Sequence, residues 1–127
     1  MREETAMRVG TVRERKDGEQ RVGLTPEGAF ALAAQGHEVY FGRGAGERSG
    51  HGDGAYVASG AIPLATAEEV WGSCDLVVKV KEPVPGEYGY LRPGCALFTY
   101  LHLAAERELT ERLMASGCTS LAYELVR

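Results

Sequence analysis

Two short apolar runs end beside ionisable side chains, which are the first candidates for chemistry in this sequence. Residues 76–83 carry Lys81 directly after branched apolar residues, and residues 98–103 place His102 just past a similar run. Branched and aromatic residues favour buried strands. Side chains that follow the carboxyl ends of parallel strands line the binding crevice of an α/β sheet. The pattern predicts that Lys81 and His102 lie on one rim of one sheet.

Each candidate has a chemical role and a plainer alternative. His102 can give or take a proton near neutral pH, or it can cap a strand end by a hydrogen bond. Lys81 can hold a carbonyl or carboxylate oxygen, or it can be a surface lysine beside a buried strand. Arg21 lies between the first strand and the first helix, where its planar fork suits a carboxylate. Its alternative is a surface ion pair.

Taken together, two cations and one acid/base at strand ends suit a small 2-oxo or 2-amino acid. Lys79 lies two residues before Lys81, on the same strand face, as a solvated neighbour or a second ligand contact. The sequence shows no nucleophile beside a base, no metal-binding cluster and no nicotinamide-binding motif. The glycine-rich residues 42–50 have neither the G-x-G-x-x-G spacing nor the G-K-[ST] ending of phosphate loops. We interpret them as a structural loop, and His51, which follows it between two glycines, is expected to be solvent-exposed.

Composition limits the class of protein. The 127 residues suit one domain, and a net charge of −4 argues against a general nucleic-acid or anionic-membrane binder. No apolar run approaches the roughly 20 residues of a membrane span. Residues 1–6 are polar and do not resemble a signal peptide, so the cytoplasm is expected. Cys74, Cys95 and Cys118 are widely spaced, which predicts buried reduced thiols.

Helix and strand signals alternate along the chain. Thr25, Pro26 and Glu27 predict a helix start, and Gly36 predicts its end. Phe30 is expected on the apolar side of this helix, and Met114 on the apolar side of the helix predicted at 106–116. Thr66 and Glu69 form a predicted capping box, and Asp53 is expected to cap a short helix. Strands are predicted at 7–12, 37–41, 61–64, 76–81, 95–100 and 119–125, with helices at 26–35, 53–58, 66–71 and 106–116. This alternation predicts a single α/β domain with an open, doubly wound, mostly parallel sheet of Rossmann or flavodoxin type.

Several segments resemble the amino-terminal domain of the alanine dehydrogenase family, which is shared with the α subunit of nicotinamide nucleotide transhydrogenase. The Lys-Val-Lys-Glu-Pro run at 79–83 and the Tyr-Leu-His-Leu-Ala run at 100–104 favour the alanine dehydrogenase branch. The similarity covers nearly all of residues 7–126. The matching segments are 7–10, 20–26, 36–39, 44–46, 70–71, 76–83, 87–91, 98–104 and 122–124.

The resemblance implies roles for the candidate residues. Arg21 and Lys81 would bind the carboxylate and carbonyl oxygens of pyruvate or L-alanine, and His102 would be the proton donor and acceptor. The family reaction is the reversible oxidative deamination of L-alanine by NAD to pyruvate, ammonia and NADH. Hydride transfer belongs to the cofactor, and the protein orients the substrate.

The resemblance also sets expectations for organisation. Family members are about three times longer, with a separate Rossmann domain of ordinary size that binds NAD. Residues 1–6 are therefore expected to be a leader and residues 7–127 the substrate domain, without an NAD-binding domain. We expect no bound NAD and no complete turnover by this chain alone. Alternatives are a non-catalytic 2-oxo acid binding or assembly module, a partner of a separate NAD-binding chain, a homo-oligomer subunit, or a gene fragment.

Overall fold

The computed structural model describes residues 6–100 and 107–122, and in these ranges it is an α/β domain. The predicted residue His102 and the end of the last predicted strand, residues 123–125, lie outside the described residues. Within the described ranges the strands are Arg8–Thr11 (β1), Glu38–Gly42 (β2), Ile62–Leu64 (β3), Leu76–Lys81 (β4), Ala96–Tyr100 (β5) and Thr119–Ala122 (β6). The α-helices are Pro26–Ala34 (α1), Asp53–Ala58 (α2), Ala67–Ser73 (α3) and Arg107–Ser116 (α4), with 3₁₀ turns at Glu47–Ser49 and Pro85–Tyr90.

All neighbouring strands pair in parallel, in the order β3-β2-β1-β4-β5-β6. The chain winds outward from β1 to β3, returns to the centre at β4 and then winds outward to β6. The order therefore reverses between β1 and β4, which is where open α/β sheets bind ligands. The predicted doubly wound parallel sheet is confirmed.

Local capping signals explain where two helices begin. The Thr25 hydroxyl accepts a hydrogen bond from the Gly28 N–H at 3.2 Å at the start of α1. At α3, the Thr66 hydroxyl accepts from the Glu69 N–H at 3.1 Å, and the Glu69 carboxylate accepts from the Thr66 N–H at 3.1 Å. These side chains satisfy backbone groups that a helix terminus leaves without intrahelical partners.

In the part of the chain that the structure describes, two apolar clusters lie on the two faces of the sheet. Along β2, Tyr40 packs against one cluster, whereas Val39 and Phe41 belong to the other, as the alternation of a strand requires. The first cluster is covered by α3 and the 3₁₀ turn Pro85–Tyr90, and includes Val12, Val70, Trp71, Val77, Tyr88, Leu91 and Leu97. The second is covered by α1 and α2, and includes Ala29, Tyr56 and Ala61.

Three predicted side-chain positions were wrong. Phe30 is 62% exposed, and α1 buries Pro26 and Ala29 instead. Met114, predicted on the apolar side of α4, is 80% exposed. Asp53 lies inside the first turn of α2 rather than at its N-cap, and its carboxylate accepts from the Gly44 N–H at 2.9 Å. An apolar or capping residue type does not by itself fix which way a side chain turns, because neighbouring elements decide it.

The three cysteines lie one or two residues before the starts of β4, β5 and β6. They are therefore at the end of the sheet opposite the candidate rim. Cys74 and Cys95 are buried, Cys118 is half-buried, and all are free thiols, as predicted. Among the described residues, no group of histidine, cysteine and carboxylate side chains is arranged to hold a metal ion. None of the described helices combines the length and the apolar character that crossing a bilayer requires.

Candidate functional site

The end of β4 is bulged, and this irregularity shapes the candidate site. Val78 pairs with Phe98, and the next pair joins Lys81 to Tyr100, so three steps along β4 match two along β5. One extra residue in one strand is a β-bulge, which re-aims the side chains around it. The pairing of β1 with β4 already stops at Thr11 and Val78. Residues 79–81 therefore extend past the end of β1.

The buried carboxylate of Glu14 binds the part of β4 that extends past β1. Oε2 of Glu14 accepts a hydrogen bond from the Val80 N–H at 2.9 Å, and Oε1 accepts from the Lys81 N–H at 3.2 Å. Successive N–H groups of a regular strand point in opposite directions, so two of them on one carboxylate are a signature of the bulge. Glu14 thus acts on the backbone of Lys81 itself.

Two threonines bind the carbonyl groups of the same segment. The Thr11 hydroxyl donates to the Val78 carbonyl at 3.0 Å, and the Thr99 hydroxyl donates to the Lys81 carbonyl at 2.8 Å. Buried backbone groups without partners are costly, and the irregular strand end therefore depends on side chains from its neighbours.

Lys79 is not a ligand contact at the rim, and that prediction was wrong. Its side chain is 1% exposed, and its ammonium nitrogen lies 3.0 Å from Oε1 of Glu14 and 3.5 Å from Oε2 of Glu87. The other oxygen of Glu87 accepts from the Val84 N–H at 3.1 Å. A buried ammonium is stable only when charged partners surround it. Through these buried ion pairs, Lys79 connects β4 to the loop after β1 and to the 3₁₀ turn Pro85–Tyr90.

Arg21 lies at the rim in an ion pair with Glu19. The side chain of Arg21 is 69% exposed, whereas that of Glu19 is 6% exposed. Nε of Arg21 donates to Oε2 of Glu19, and Nη2 donates to Oε1, both at 2.9 Å. The ion-pair alternative considered for Arg21 is thus present. It also fixes the plane of the guanidinium, which an anion-binding arginine needs.

The electrostatics of Glu19 connect the two predicted cations. The side-chain hydrogen bonds from Arg21 are the largest cause that lowers the pKa of Glu19 below its usual range, and burial opposes them. The positive charge of Lys81 lowers the same pKa further. Arg21 and Lys81 therefore act on one carboxylate, and the structure brings these two predicted site residues into one region.

A cleft of about 400 Å³ opens beside this region. It is lined by residues 21–23 and Thr25, by Ser49 and His51, and by Val80, the neighbour of Lys81. Gly23 allows the first wall to lie directly on β4, since a Cβ there would stand 2.4 Å from the Val78 carbonyl oxygen. Only glycine permits so close an approach of two backbones.

Two residues of the loop after β2, Arg48 and His51, contribute to this region although neither was predicted as a site residue. His51, expected to be solvent-exposed, is half-buried and lines the cleft. Arg48 donates from Nη1 to the Glu19 carbonyl at 3.2 Å and from Nη2 to the Glu14 carbonyl at 3.5 Å. Arg48 therefore ties the loop after β2 to the loop after β1. No local sequence signal marked either residue, because the contacts join segments about 30 residues apart.

His102 lies outside the described residues, so its predicted role stays a prediction. Its nearest described neighbours in sequence belong to β5, which ends at Tyr100 and pairs with Lys81. The predicted placement of Lys81 and His102 on one rim is consistent with the parallel pairing of β4 and β5.

The described residues do not fit a dinucleotide at the point where the strand order reverses. A Rossmann site places pyrophosphate against a glycine-rich turn that opens directly into a helix. Here residues 12–25 form a long loop before α1, without G-x-G-x-x-G spacing, and the loop buries the carboxylates of Glu14 and Glu19. Carboxylates at this position would repel pyrophosphate, whereas the adjoining cations suit a single small anion.

Comparison with known proteins gives the family. The sequence-family model of the alanine dehydrogenase/PNT N-terminal domain matches residues 10–127. The chain belongs to this family. It is 51% identical over 121 residues to alanine dehydrogenase of Mycobacterium tuberculosis (strain ATCC 25618 / H37Rv), covering 95% of this chain and 33% of that protein. It is 48% identical over 120 residues to alanine dehydrogenase of Bacillus subtilis (strain 168), covering 94% and 32%.

Solved structures agree with this assignment. An L-alanine dehydrogenase structure superposes with a TM-score of 0.90 at 47% identity, covering 93% of this chain and 32% of that chain. A transhydrogenase from Sinorhizobium meliloti superposes with a TM-score of 0.87 at 27% identity, covering 94% and 36%. The chain thus spans about a third of the length of these relatives. The predicted family and its Rossmann-like fold are confirmed.

Proposed function

We propose that the cleft beside Arg21 and Lys81 binds the carboxylate of pyruvate or L-alanine. In this proposal the chain is the substrate-binding part of an alanine dehydrogenase-like oxidoreductase. The single observation that carries the proposal is the cleft of about 400 Å³, which is lined by both Arg21 and Val80, the residue before Lys81. The guanidinium of Arg21 at such a cleft suits a small carboxylate, and the positive charge of Lys81 acts on Glu19, the side chain that Arg21 binds.

Arg21 and Lys81 have different parts in the proposal. Among the described residues, Glu19 engages Nε and Nη2 of Arg21, which leaves the N–H groups of Nη1 for a substrate carboxylate. The Lys81 ammonium holds the carbonyl oxygen at C2 and favours negative charge on it. His102 is proposed to exchange the proton at the substituent of C2. The relatives are named alanine dehydrogenases, which supports this substrate class.

The proposal places the NAD site outside residues 7–127, because the loop after β1 does not fit a dinucleotide. Turnover then requires an NAD-binding domain or a separate NAD-binding chain, and the isolated chain should not form NADH with alanine. The second candidate is a non-catalytic module that binds a 2-oxo acid or takes part in assembly, for example as a homo-oligomer. It is favoured by the same observation, that the loop after β1 does not fit a dinucleotide. Alanine-dependent NADH formation by the pure chain would contradict both.

Titration calorimetry with pyruvate tests the binding site. We expect the wild-type chain to bind and Arg21→Ala to bind at least about tenfold more weakly, since a charge-assisted hydrogen bond is lost. Arg8→Ala is the matched control, because Arg8 is also exposed but begins β1 at the opposite end of the sheet. Equal loss in both variants would indicate a general charge effect. No binding by the wild type would refute the site in this chain.

A further inference from the structure

A buried carboxylate that no part of the proposed reaction uses lies directly behind the proposed substrate site. Glu14 is 2% exposed, and its two oxygens accept hydrogen bonds from three donors. Those donors are the Lys79 ammonium at 3.0 Å, the Val80 N–H at 2.9 Å and the Lys81 N–H at 3.2 Å. A carboxylate this well satisfied is a rigid support rather than a group available for chemistry.

We propose that Glu14 is the positioning residue of the site: it holds the bulge at the end of β4 and so directs the Lys81 side chain to the side of the strand where Glu19 and Arg21 lie. This inference rests on the proposed function, because it assigns Lys81 to the substrate. It adds a residue from the loop after β1 whose role is to fix the geometry of another element.

Strand geometry explains why the bulge matters for Lys81. Side chains alternate between the two faces of a regular strand, so a shift of one residue moves each of them to the other face. The bulge adds one residue between Val78 and Lys81. If the bulge relaxed, Lys81 would exchange its face while the start of β4, paired at Leu76 and Val77, kept its register. The functional ammonium would move without unfolding of the sheet.

The carboxylate of Glu14 is the group that prevents this relaxation. It binds two successive N–H groups on the same side of β4, an arrangement that exists only in the bulged strand. Removal of the carboxylate leaves both N–H groups without that acceptor, and one of them regains a partner when the strand returns to regular pairing. Return to regular pairing therefore costs less free energy than keeping the bulge with both N–H groups lacking that acceptor.

Glu87 supplies a matched control. Its carboxylate is as buried as that of Glu14 and lies 3.5 Å from the same Lys79 ammonium. The hydrogen bond that it accepts, however, comes from the Val84 N–H, which lies beyond the bulge. Glu87→Gln therefore removes one buried charge from the same ion cluster and leaves the acceptor of Val80 and Lys81 in place. Glu14→Gln removes one charge and also weakens that acceptor.

The experiment compares the wild-type chain, Glu14→Gln and Glu87→Gln by amide hydrogen exchange and pyruvate titration. In Glu14→Gln we expect exchange at Val80 and Lys81 to accelerate at least about tenfold, with Val39 and Val77 still protected. Pyruvate affinity should fall about tenfold. In Glu87→Gln both quantities should stay within about twofold of wild type.

A third readout follows Lys81 without any added ligand. Loss of the Glu14 charge alone would lower the pKa of Glu19, because a like charge has gone. Movement of Lys81 away from Glu19 would instead raise that pKa, because Lys81 contributes to its depression. We expect the Glu19 pKa, followed by carboxyl ¹³C resonances, to rise in Glu14→Gln.

The outcomes separate the two proposals. Protected Val80 and Lys81 amides together with an unchanged or lower Glu19 pKa in Glu14→Gln would overturn the positioning role. Loss of protection across the whole sheet would also overturn it, because Glu14 would then be a general stabiliser. If the wild-type chain binds no pyruvate, the proposed function fails, and the amide and Glu19 measurements still decide whether Glu14 positions Lys81.

Discussion

The guanidinium of Arg21 and the carboxylate of Glu19 form a two-bond ion pair in which the acid is buried and the base is exposed. The pair is formed by residues two apart, so it costs little chain entropy to assemble. It orients Arg21 at the rim, and it lowers the pKa of Glu19. The second effect gives a prediction about acid stability.

Glu19→Gln should flatten the acid limb of the stability profile. A carboxyl whose pKa is lower in the folded chain adds stability above its unfolded pKa of about 4.3, and that stability disappears as pH falls through the folded value. The free energy of unfolding of the wild type should therefore fall more steeply below about pH 4.3 than that of Glu19→Gln. Because Arg21 is mostly exposed, the difference will be modest. Urea titrations between pH 7 and pH 3 measure it, and parallel profiles would refute the coupling.

Gly23→Ala should destabilise the chain by about 1–3 kcal/mol, as overpacking does. The added methyl would meet the Val78 carbonyl at 2.4 Å and the Lys79 Cα at 2.7 Å, and backbone cannot yield as a flexible side chain does. Gly54→Ala is the control, since Gly54 lies in α2 with open space around its Cβ position. The control should gain about 0.4–1 kcal/mol. Urea unfolding of both variants decides, and an unaffected Gly23→Ala would contradict the close approach.

Tyr56→Phe should cost about 1 kcal/mol of stability. The buried hydroxyl donates to the Leu24 carbonyl at 2.7 Å, and its loss leaves that acceptor without this partner. The ring itself stacks on Phe41 at 4.9 Å and is retained in the variant. Tyr40→Phe provides a comparison, because that hydroxyl donates to the exposed carboxylate of Glu38. Its cost should stay below about 0.5 kcal/mol, and equal costs in thermal or urea unfolding would contradict the assignment.

Cys74 should resist alkylation in the folded chain. Burial, aided by the negative charge of Asp75, raises the pKa of its thiol to about 12. Only about 10⁻⁴ of it is then ionised at pH 8, and the thiolate is the reactive form. Iodoacetamide at pH 8 should modify Cys74 at least about tenfold more slowly than half-buried Cys118. Peptide mass spectrometry measures both, and comparable rates in native protein would count against burial of Cys74.

Local signals made much of the fold predictable. The Thr25 cap and the Thr66–Glu69 capping box are complete within four residues of sequence, and both are present in the structure. The short β-branched runs likewise gave β4 and β5 to within a residue or two. Such features depend on nearest neighbours along the chain, and alternation of strands and helices then leaves few topologies.

The support behind the site could not be predicted in the same way. Glu14, Lys79 and Glu87 meet only after folding, and each reads in the sequence as an ordinary solvated charge. The bulge escaped prediction for the same reason, because its hydrogen bonds come from residues more than 60 positions away. Lys79 was consequently assigned to the face of Lys81. A regular period of two fails where an extra residue is held in place from another loop.

The contact at Gly23 also limits how the cleft can change. With backbone lying on backbone, the wall that bears Arg21 keeps a set separation from β4 and cannot retreat to admit a bulkier acid. The wall formed by Ser49 and His51 comes from a different loop, in which the Ser49 hydroxyl donates to the Gly46 carbonyl at 3.2 Å rather than to β4. Redesign for longer 2-oxo acids therefore begins at residues 49 and 51, where shortening a side chain adds room and leaves the anion-binding groups undisturbed.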